Sequence, residues 1–137
     1  MTHARLLLVV AAVASVAAVS AVAAATSVTL DLEGGYGNRT LKACGITHHY
    51  TLYHGERAIG VRGAVVPAPA AAFRVKLKVK QCVRGSFRTV WVGNAQVSSD
   101  GTFDGAIPPR RRAFFFARAY YERATPIKSD KQYFRVG

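Results

Sequence analysis

The sequence predicts an all-β fold, a single antiparallel sandwich of about seven to eight strands that follows a cleaved signal peptide. Three observations predict it. Beyond the first 25 residues, apolar residues recur at every second position and not with helical spacing. Glycine, proline and Asp-Gly turns separate these runs about every dozen residues. Removing the leader from the 137-residue chain leaves about 112 residues, enough for one domain with a modest core.

The N-terminal segment has the three parts of a secretory signal. Residues 1–5 are short and weakly basic, residues 6–22 form an apolar run, and three alanines at 23–25 suit a signal peptidase. The expected mature domain therefore covers residues 26–137 and is secreted, either extracellular or associated with the cell envelope. The apolar run is short for a bilayer span and no second one follows, so an uncleaved anchor is the less favoured alternative.

The first half of the mature chain is predicted to hold three strands. Residues 27–32 alternate valine and leucine with polar residues, and a glycine-rich cluster ends this short edge strand. Residues 46–53 and 58–66 are the second and third predicted strands. Pro67 and Pro69 then interrupt the pattern, because proline cannot donate a ladder hydrogen bond.

The clearest strand covers residues 73–83, where one side should face the core and the other should carry a basic stripe in water. Its apolar members are Phe73, Val75, Leu77 and Val79, and its basic members are Arg74, Lys76, Lys78 and Lys80. Further strands are predicted at residues 87–97, 102–107, 113–121 and 132–136. Turn residues bound these strands. Arg84-Gly85-Ser86 precedes the strand at 87–97, Ser98-Ser99-Asp100-Gly101 follows it, and Pro108-Pro109 follows the strand at 102–107.

The two cysteines, Cys44 and Cys82, are predicted to form a disulfide. Both lie in the exported part of the chain, where the medium is oxidising, and an even count of two allows a single connectivity. Strict alternation from Phe73 puts Cys82 on the lysine side of its strand. Either a bulge near residues 80–82 corrects the register, or the bridge lies on an outer face and ties the segment around Cys44 across a sheet.

The stretch from Val75 to Val136 resembles secreted bacterial immunoglobulin-like domains of actinobacterial type. The motifs that carry the resemblance are the Lys/Val strand with Cys82, Gly85-Ser86-Phe87-Arg88-Thr89-Val90, Ser99-Asp100-Gly101-Thr102-Phe103, Phe-x-Ala-Arg-Ala-Tyr-Tyr and the ending from Ser129-Asp130-Lys131 to Val136. The resemblance implies an immunoglobulin-like β-sandwich over residues 26–137 and no particular activity. Phe115 stands about where that rhythm has a tyrosine, so no tyrosine-corner hydrogen bond is expected.

The charge balance indicates a strongly basic surface. The chain carries 19 Lys and Arg against 7 Asp and Glu, a formal net charge of +12. Arg5 is the only charged residue in the leader, so the mature chain keeps +11. Such a surface favours an anionic envelope polymer, a carbohydrate or another extracellular protein as a partner. Solubilising charge, including Arg110-Arg111-Arg112, is the simpler alternative.

A basic and aromatic face is the candidate binding site. Alternation in the strand 113–121 turns three aromatic rings and a guanidinium away from the core, and exposed rings interleaved with cations suit sugars or anionic polymers. The candidate residues are Lys76, Lys78, Lys80, Phe114, Phe116, Arg118 and Tyr120. The equally favoured alternative is that this strand is covered on both faces, by a loop or by a second subunit.

No motif for catalysis, metal binding or a cofactor is present in the sequence. There is no Gly-x-Ser-x-Gly elbow, and nothing brings two of the few carboxylates together across a cleft. His48, His49 and His54 are spread too far along a strand to share one ion. No nucleic-acid recognition element is found either. The sequence therefore predicts a non-enzymatic binding or structural module at the cell exterior, with an envelope-polymer-binding module and a small hydrolase with an unrecognised site as alternatives.

Overall fold

A computed structural model of the protein describes residues 25–69, 73–123 and 125–137. The predicted signal peptide lies, apart from Ala25, outside the described residues. Ten strands and no helix occupy the described part of the chain. They are β1 (Ser27–Glu33), β2 (Gly37–Ala43), β3 (Ile46–Tyr53), β4 (Ile59–Val66), β5 (Arg74–Val83), β6 (Ser86–Gln96), β7 (Thr102–Ile107), β8 (Ala113–Tyr121), β9 (Ile127–Lys128) and β10 (Gln132–Val136).

The strands form two sheets, as the predicted sandwich requires. A three-stranded sheet has the order β1-β4-β7, and a seven-stranded sheet has the order β2-β3-β10-β8-β5-β6, with β9 added beside β8. The expectation of a purely antiparallel arrangement is wrong at one place, since β10 pairs with β3 in parallel. No short turn links these two strands, so their connection does not impose an antiparallel direction.

One hydrophobic core is shared by both sheets. Alternation in β5 is confirmed, because Val75, Leu77 and Val79 are at most 4% exposed. Phe73 is the exception, for it precedes β5 and is 41% exposed. Phe115 of β8 stacks on the fully buried Phe134 of β10 with ring centroids 5.1 Å apart. These side chains fix the orientation of β5, β8 and β10, so the alternate positions of the three strands face outward.

The turns before β6 and β7 form at the positions predicted from the sequence. Arg84 and Gly85 both have positive φ, 51° and 83°, which matches the right-handed twist of the hairpin between β5 and β6. Gly101 has a φ of 87°, and the Asp100 carboxylate accepts hydrogen bonds from the backbone N–H and the hydroxyl of Thr102. These two turns set the starts of β6 and β7.

The Cys44–Cys82 disulfide is confirmed and shows that the seven-stranded sheet is curled. Cys44 lies in the turn between β2 and β3, and Cys82 lies on β5, three places away from β3 in the sheet order. In a flat sheet that separation would be about 14 Å. The Cα atoms are 6.0 Å apart. The β2–β3 hairpin therefore folds over the outer face of β8 and β5.

The curl buries a second, smaller hydrophobic cluster on the outer face. Tyr50, Leu52 and Phe114 form its centre, and partly buried side chains surround them: Leu41, Ala43, Cys82, Phe87 and Tyr133. The bridge thus lies on an outer face, the second of the two arrangements that the sequence left open. A bulge interrupts the β5–β6 pairing at Val79 and Lys80, but its extra residue is Val90 of β6. The alternation of β5 is therefore unbroken, and Cys82 stays on the lysine side of the strand.

Candidate binding face

Charges are divided unevenly between the two sheets. The strands of the seven-stranded sheet contain ten Lys and Arg and no Asp or Glu. The ten are Arg39, Lys42, Arg74, Lys76, Lys78, Lys80, Arg88, Arg118, Lys128 and Arg135. The three-stranded sheet instead carries Asp31, Glu33 and Asp104 with Arg62 as its one cation. One side of the sandwich is therefore strongly cationic.

The predicted exposure of Phe114 and Phe116 is wrong. Both rings point away from the main core, as alternation requires, but they are only 7% and 3% exposed. The physical reason is the curl of the sheet, which brings Tyr50 within 5.5 Å of Phe114 between ring centroids. On the opposite side, Phe87 lies 4.8 Å from Phe116. The alternative of a strand covered on both faces is therefore correct at these two positions. The β2–β3 hairpin covers Phe114, and Phe87 of β6 with Tyr133 of β10 covers Phe116.

Four lysines lie over two of the three outward rings of β8, Tyr120 and Phe116. Lys78 and Lys128 lie 4.8 and 5.8 Å from the centroid of Tyr120. Lys131 and Lys80 lie 4.9 and 5.9 Å from the centroid of Phe116. We call Lys78, Lys80, Lys128 and Lys131 the lysine patch. An ammonium group over a ring gains about 0.5–1 kcal/mol at an exposed site, so these rings hold the four charges close together.

Two other candidate residues have partners within the fold. The ammonium group of Lys76 is 2.6 Å from the carboxylate of Glu122, which offsets its charge. Arg118 Nε donates a hydrogen bond of 2.7 Å to the Ser129 carbonyl. Ser129 is itself buried, and its hydroxyl accepts from the Ala119 N–H. Arg118 therefore helps to fix the connection between β9 and β10.

The accessible part of the predicted face is thus smaller than the sequence indicates. Of the seven candidate residues, Lys78, Lys80 and Tyr120 combine partial exposure with the absence of both an ion pair and a side-chain hydrogen bond among the described residues. Lys128 and Lys131 join them. Sequence reasoning missed both lysines, because the two-residue strand β9 that places Lys128 beside Tyr120 is too short to give a periodic signal.

The three histidines of the β3 region have different surroundings. His48 lies in the second cluster and is 5% exposed, whereas His54 stacks on Tyr36 with ring centroids 4.3 Å apart. His49 Nδ1 is 3.4 Å from the Thr40 hydroxyl. Within residues 25–69, 73–123 and 125–137, no group of three His, Cys, Asp or Glu side chains is placed to hold a metal ion.

No family model matches the chain, and no curated protein matches it. Over the described ranges, no helix is long and apolar enough to cross a membrane.

Proposed function

We propose that this protein is a secreted, non-enzymatic, immunoglobulin-like binding module that attaches to anionic polymer at the cell exterior. The observation that carries the proposal is the charge division between the sheets, with ten cations and no carboxylate on the strands of one sheet. The lysine patch is the centre of the proposed contact.

The strand order supports the immunoglobulin-like type. If β1, β4 and β7 are taken as strands A, B and E, then β5, β6, β8 and β10 correspond to C, C′, F and G, and the order G-F-C-C′ follows. The β2–β3 hairpin is then an addition beside strand G. One departure is the disulfide, which joins this hairpin to β5 and does not connect strands B and F.

The disulfide also supports export. Structural disulfides form and persist in oxidising compartments, and this one closes a separation of 38 residues. A bond of this kind accords with the secretory signal that residues 1–25 resemble. Secretion places the cationic sheet where envelope polymers and extracellular polysaccharides are found.

The geometry of the lysine patch favours a polymeric anion. Its four ammonium groups lie along β5, the β8–β9 pairing and the start of β10, so they follow the sheet and do not converge on one point. A repeating anion can meet such a row at several places at once. Because the rings restrict the lysine side chains before binding, less conformational entropy is lost on contact.

Retention on beads tests the proposal. The mature domain, residues 26–137, should be held on poly-glutamate beads at low salt and released between low and moderate salt, since the screening length falls from about 30 Å at 0.01 M to about 10 Å at 0.1 M. Neutral beads should not retain it. Failure of the parent domain to bind poly-glutamate would contradict the proposal.

A matched pair of variants locates the contact. Lys78→Gln with Lys80→Gln removes two charges from the lysine patch, and Arg57→Gln with Arg111→Gln removes two charges outside it that likewise have no ion pair among the described residues. We expect the first pair to elute at clearly lower salt than the second. Equal elution would show that net charge alone, and not this face, governs attachment.

A further inference from the structure

A pocket lined by arginines lies at the other end of the outer face of the seven-stranded sheet. Its volume is about 240 Å³. Arg39 of β2, Arg135 of β10 and Arg112, which immediately precedes β8, all line it. These residues are far apart in sequence, and the sheet order β2-β3-β10-β8 brings them to one cavity. Arg39 pairs with Tyr50 of β3, and Arg135 lies between Leu52 of β3 and Phe114 of β8.

None of the three guanidinium groups has an Asp or Glu carboxylate within 4.0 Å among the described residues, which include every Asp and Glu of the sequence. Gly137, the last residue, also lines the pocket, but its oxygens form no ion pair with these arginines. Three like charges around one cavity repel each other, and each guanidinium carries about five N–H donors. An anion in the cavity would remove the repulsion and accept those hydrogen bonds. The pocket has the charge and the donors of an anion site.

The walls of the pocket are fixed by the fold. Tyr50 and Leu52 belong both to the pocket lining and to the second cluster. The Tyr36 hydroxyl donates a hydrogen bond of 2.9 Å to a main-chain oxygen of Gly137, and its ring stacks on His54. Tyr36 is still 48% exposed, so a flat ring face stands at the rim. Such restraint lowers the entropy lost when a ligand binds.

We propose that this pocket binds the phosphate group of a phosphate monoester, as a substituent of the anionic polymer to which the protein attaches. A carboxylate has two oxygens in one plane and is saturated by one or two guanidinium forks. A phosphate monoester has three terminal oxygens in different directions and can accept hydrogen bonds from three guanidinium groups. The Tyr36 ring at the rim suits the sugar or polyol carbon atoms next to the phosphate. That the phosphate belongs to a polymer is the part of this inference that rests on the proposed function.

The test is a titration of the mature domain with small anions, followed by the NMR signals of the arginine Nε–H groups. Glycerol phosphate at constant ionic strength should shift the signals of Arg39, Arg112 and Arg135 in a saturable way. Acetate should bind at least about tenfold more weakly, a difference of about 1.4 kcal/mol. Equal binding of acetate, or non-saturating shifts of all arginines alike, would overturn the phosphate assignment, as would tighter binding of sulfate than of glycerol phosphate.

Neighbouring arginines provide the matched control. Arg112→Gln should weaken glycerol phosphate binding about tenfold or more, whereas Arg111→Gln, one residue away and outside the pocket lining, should bind as the parent does. The conservative Arg135→Lys keeps the charge but loses the fork, and should also weaken binding. Circular dichroism and the thermal midpoint show whether each variant is folded. Equal affinities of Arg111→Gln and Arg112→Gln would overturn the assignment.

The outcome separates the two proposals. If phosphate esters do not occupy the pocket while the parent domain stays on poly-glutamate beads, the pocket assignment fails and the attachment through the lysine patch stands. If phosphate esters bind in the pocket and poly-glutamate is not retained, the attachment through the lysine patch fails instead.

Discussion

His48 and Tyr133 stack on each other with ring centroids 3.6 Å apart and planes inclined by 25°. The imidazole is packed on its other sides by Phe114 and Phe87. Its Nε2 atom is buried and has no hydrogen-bond partner among the described residues. Burial lowers the pKa of His48. A hydrogen bond with the Ala43 backbone opposes this lowering, whereas the positive charge of Lys131 lowers the pKa further. A neutral histidine is therefore built into the second cluster.

This arrangement predicts a loss of stability in mild acid. Because the folded state lowers the pKa of His48 below 6.5, the unfolded chain binds a proton more readily. The free energy of unfolding should fall as the pH drops below 6.5 and level off below the folded-state pKa. Urea unfolding between pH 7.5 and 5 measures it. In His48→Phe the slope over this range should be smaller, and an unchanged slope would contradict the assignment.

Removal of the disulfide should open the curl. Replacing both cysteines, Cys44→Ala with Cys82→Ala, should lower the free energy of unfolding by about 2–4 kcal/mol, chiefly because the unfolded chain gains freedom. The β2–β3 hairpin would also lose its tether over Phe114. Denaturant unfolding gives the first quantity, and faster hydrogen exchange in β2 and β3 than in β5 shows the second. Uniformly faster hydrogen exchange over all strands would argue against a local role of the disulfide in holding the β2–β3 hairpin.

The buried rings of β8 should now affect stability more than binding. Phe116→Ala leaves a cavity next to Phe87 and Tyr133 and should cost about 3–5 kcal/mol in unfolding free energy. Tyr120→Ala, at a half-buried ring flanked by lysines, should cost about 1 kcal/mol. Thermal or denaturant unfolding of the two variants provides the comparison. Similar losses would show that Phe116 is exposed after all.

Because alternate residues of β5 face the core and the outer surface, substitutions at two neighbouring positions should differ sharply in their effect on stability. Leu77→Asp places a carboxylate without a partner in the main core, where the side chain is 4% exposed, and should leave the domain unfolded. Lys78→Asp alters the outer face and should cost about 1 kcal/mol or less. Circular dichroism and expression level measure both. The reverse order would mean that the register of β5 is wrong.

Much of the fold was predictable because alternation in the main sheet is strong. Val75, Leu77 and Val79 are buried as the pattern predicts, and the bounds of β8 and β10 match the predicted strands. β2 was missed, since Asn38, Arg39, Thr40 and Lys42 give it hardly any apolar periodicity. That strand is held by pairing with β3 and not by a buried face of its own.

The binding face was harder to predict, for a physical reason. Alternation identifies the two faces of a strand, but it cannot show whether a distant hairpin covers one of them, as the β2–β3 hairpin does at Phe114. The disulfide that holds this cover was predictable, yet its position relative to the β8 rings depends on the curl of the sheet. The arginine pocket depends on the order of β2, β3, β10 and β8 in the sheet, so no local pattern around Arg39, Arg112 or Arg135 predicts it.

The division of charge between the sheets gives the molecule a permanent electric dipole across its thickness. Near an anionic surface, the field exerts a torque on such a dipole before any contact forms, so the molecule arrives with the seven-stranded sheet turned toward the surface. The side left facing the medium then carries Asp31, Glu33 and Asp104 against one cation, Arg62, which pairs with Glu33. A layer of adsorbed molecules would therefore present negative charge outward, and a second layer could attach to it by the same faces.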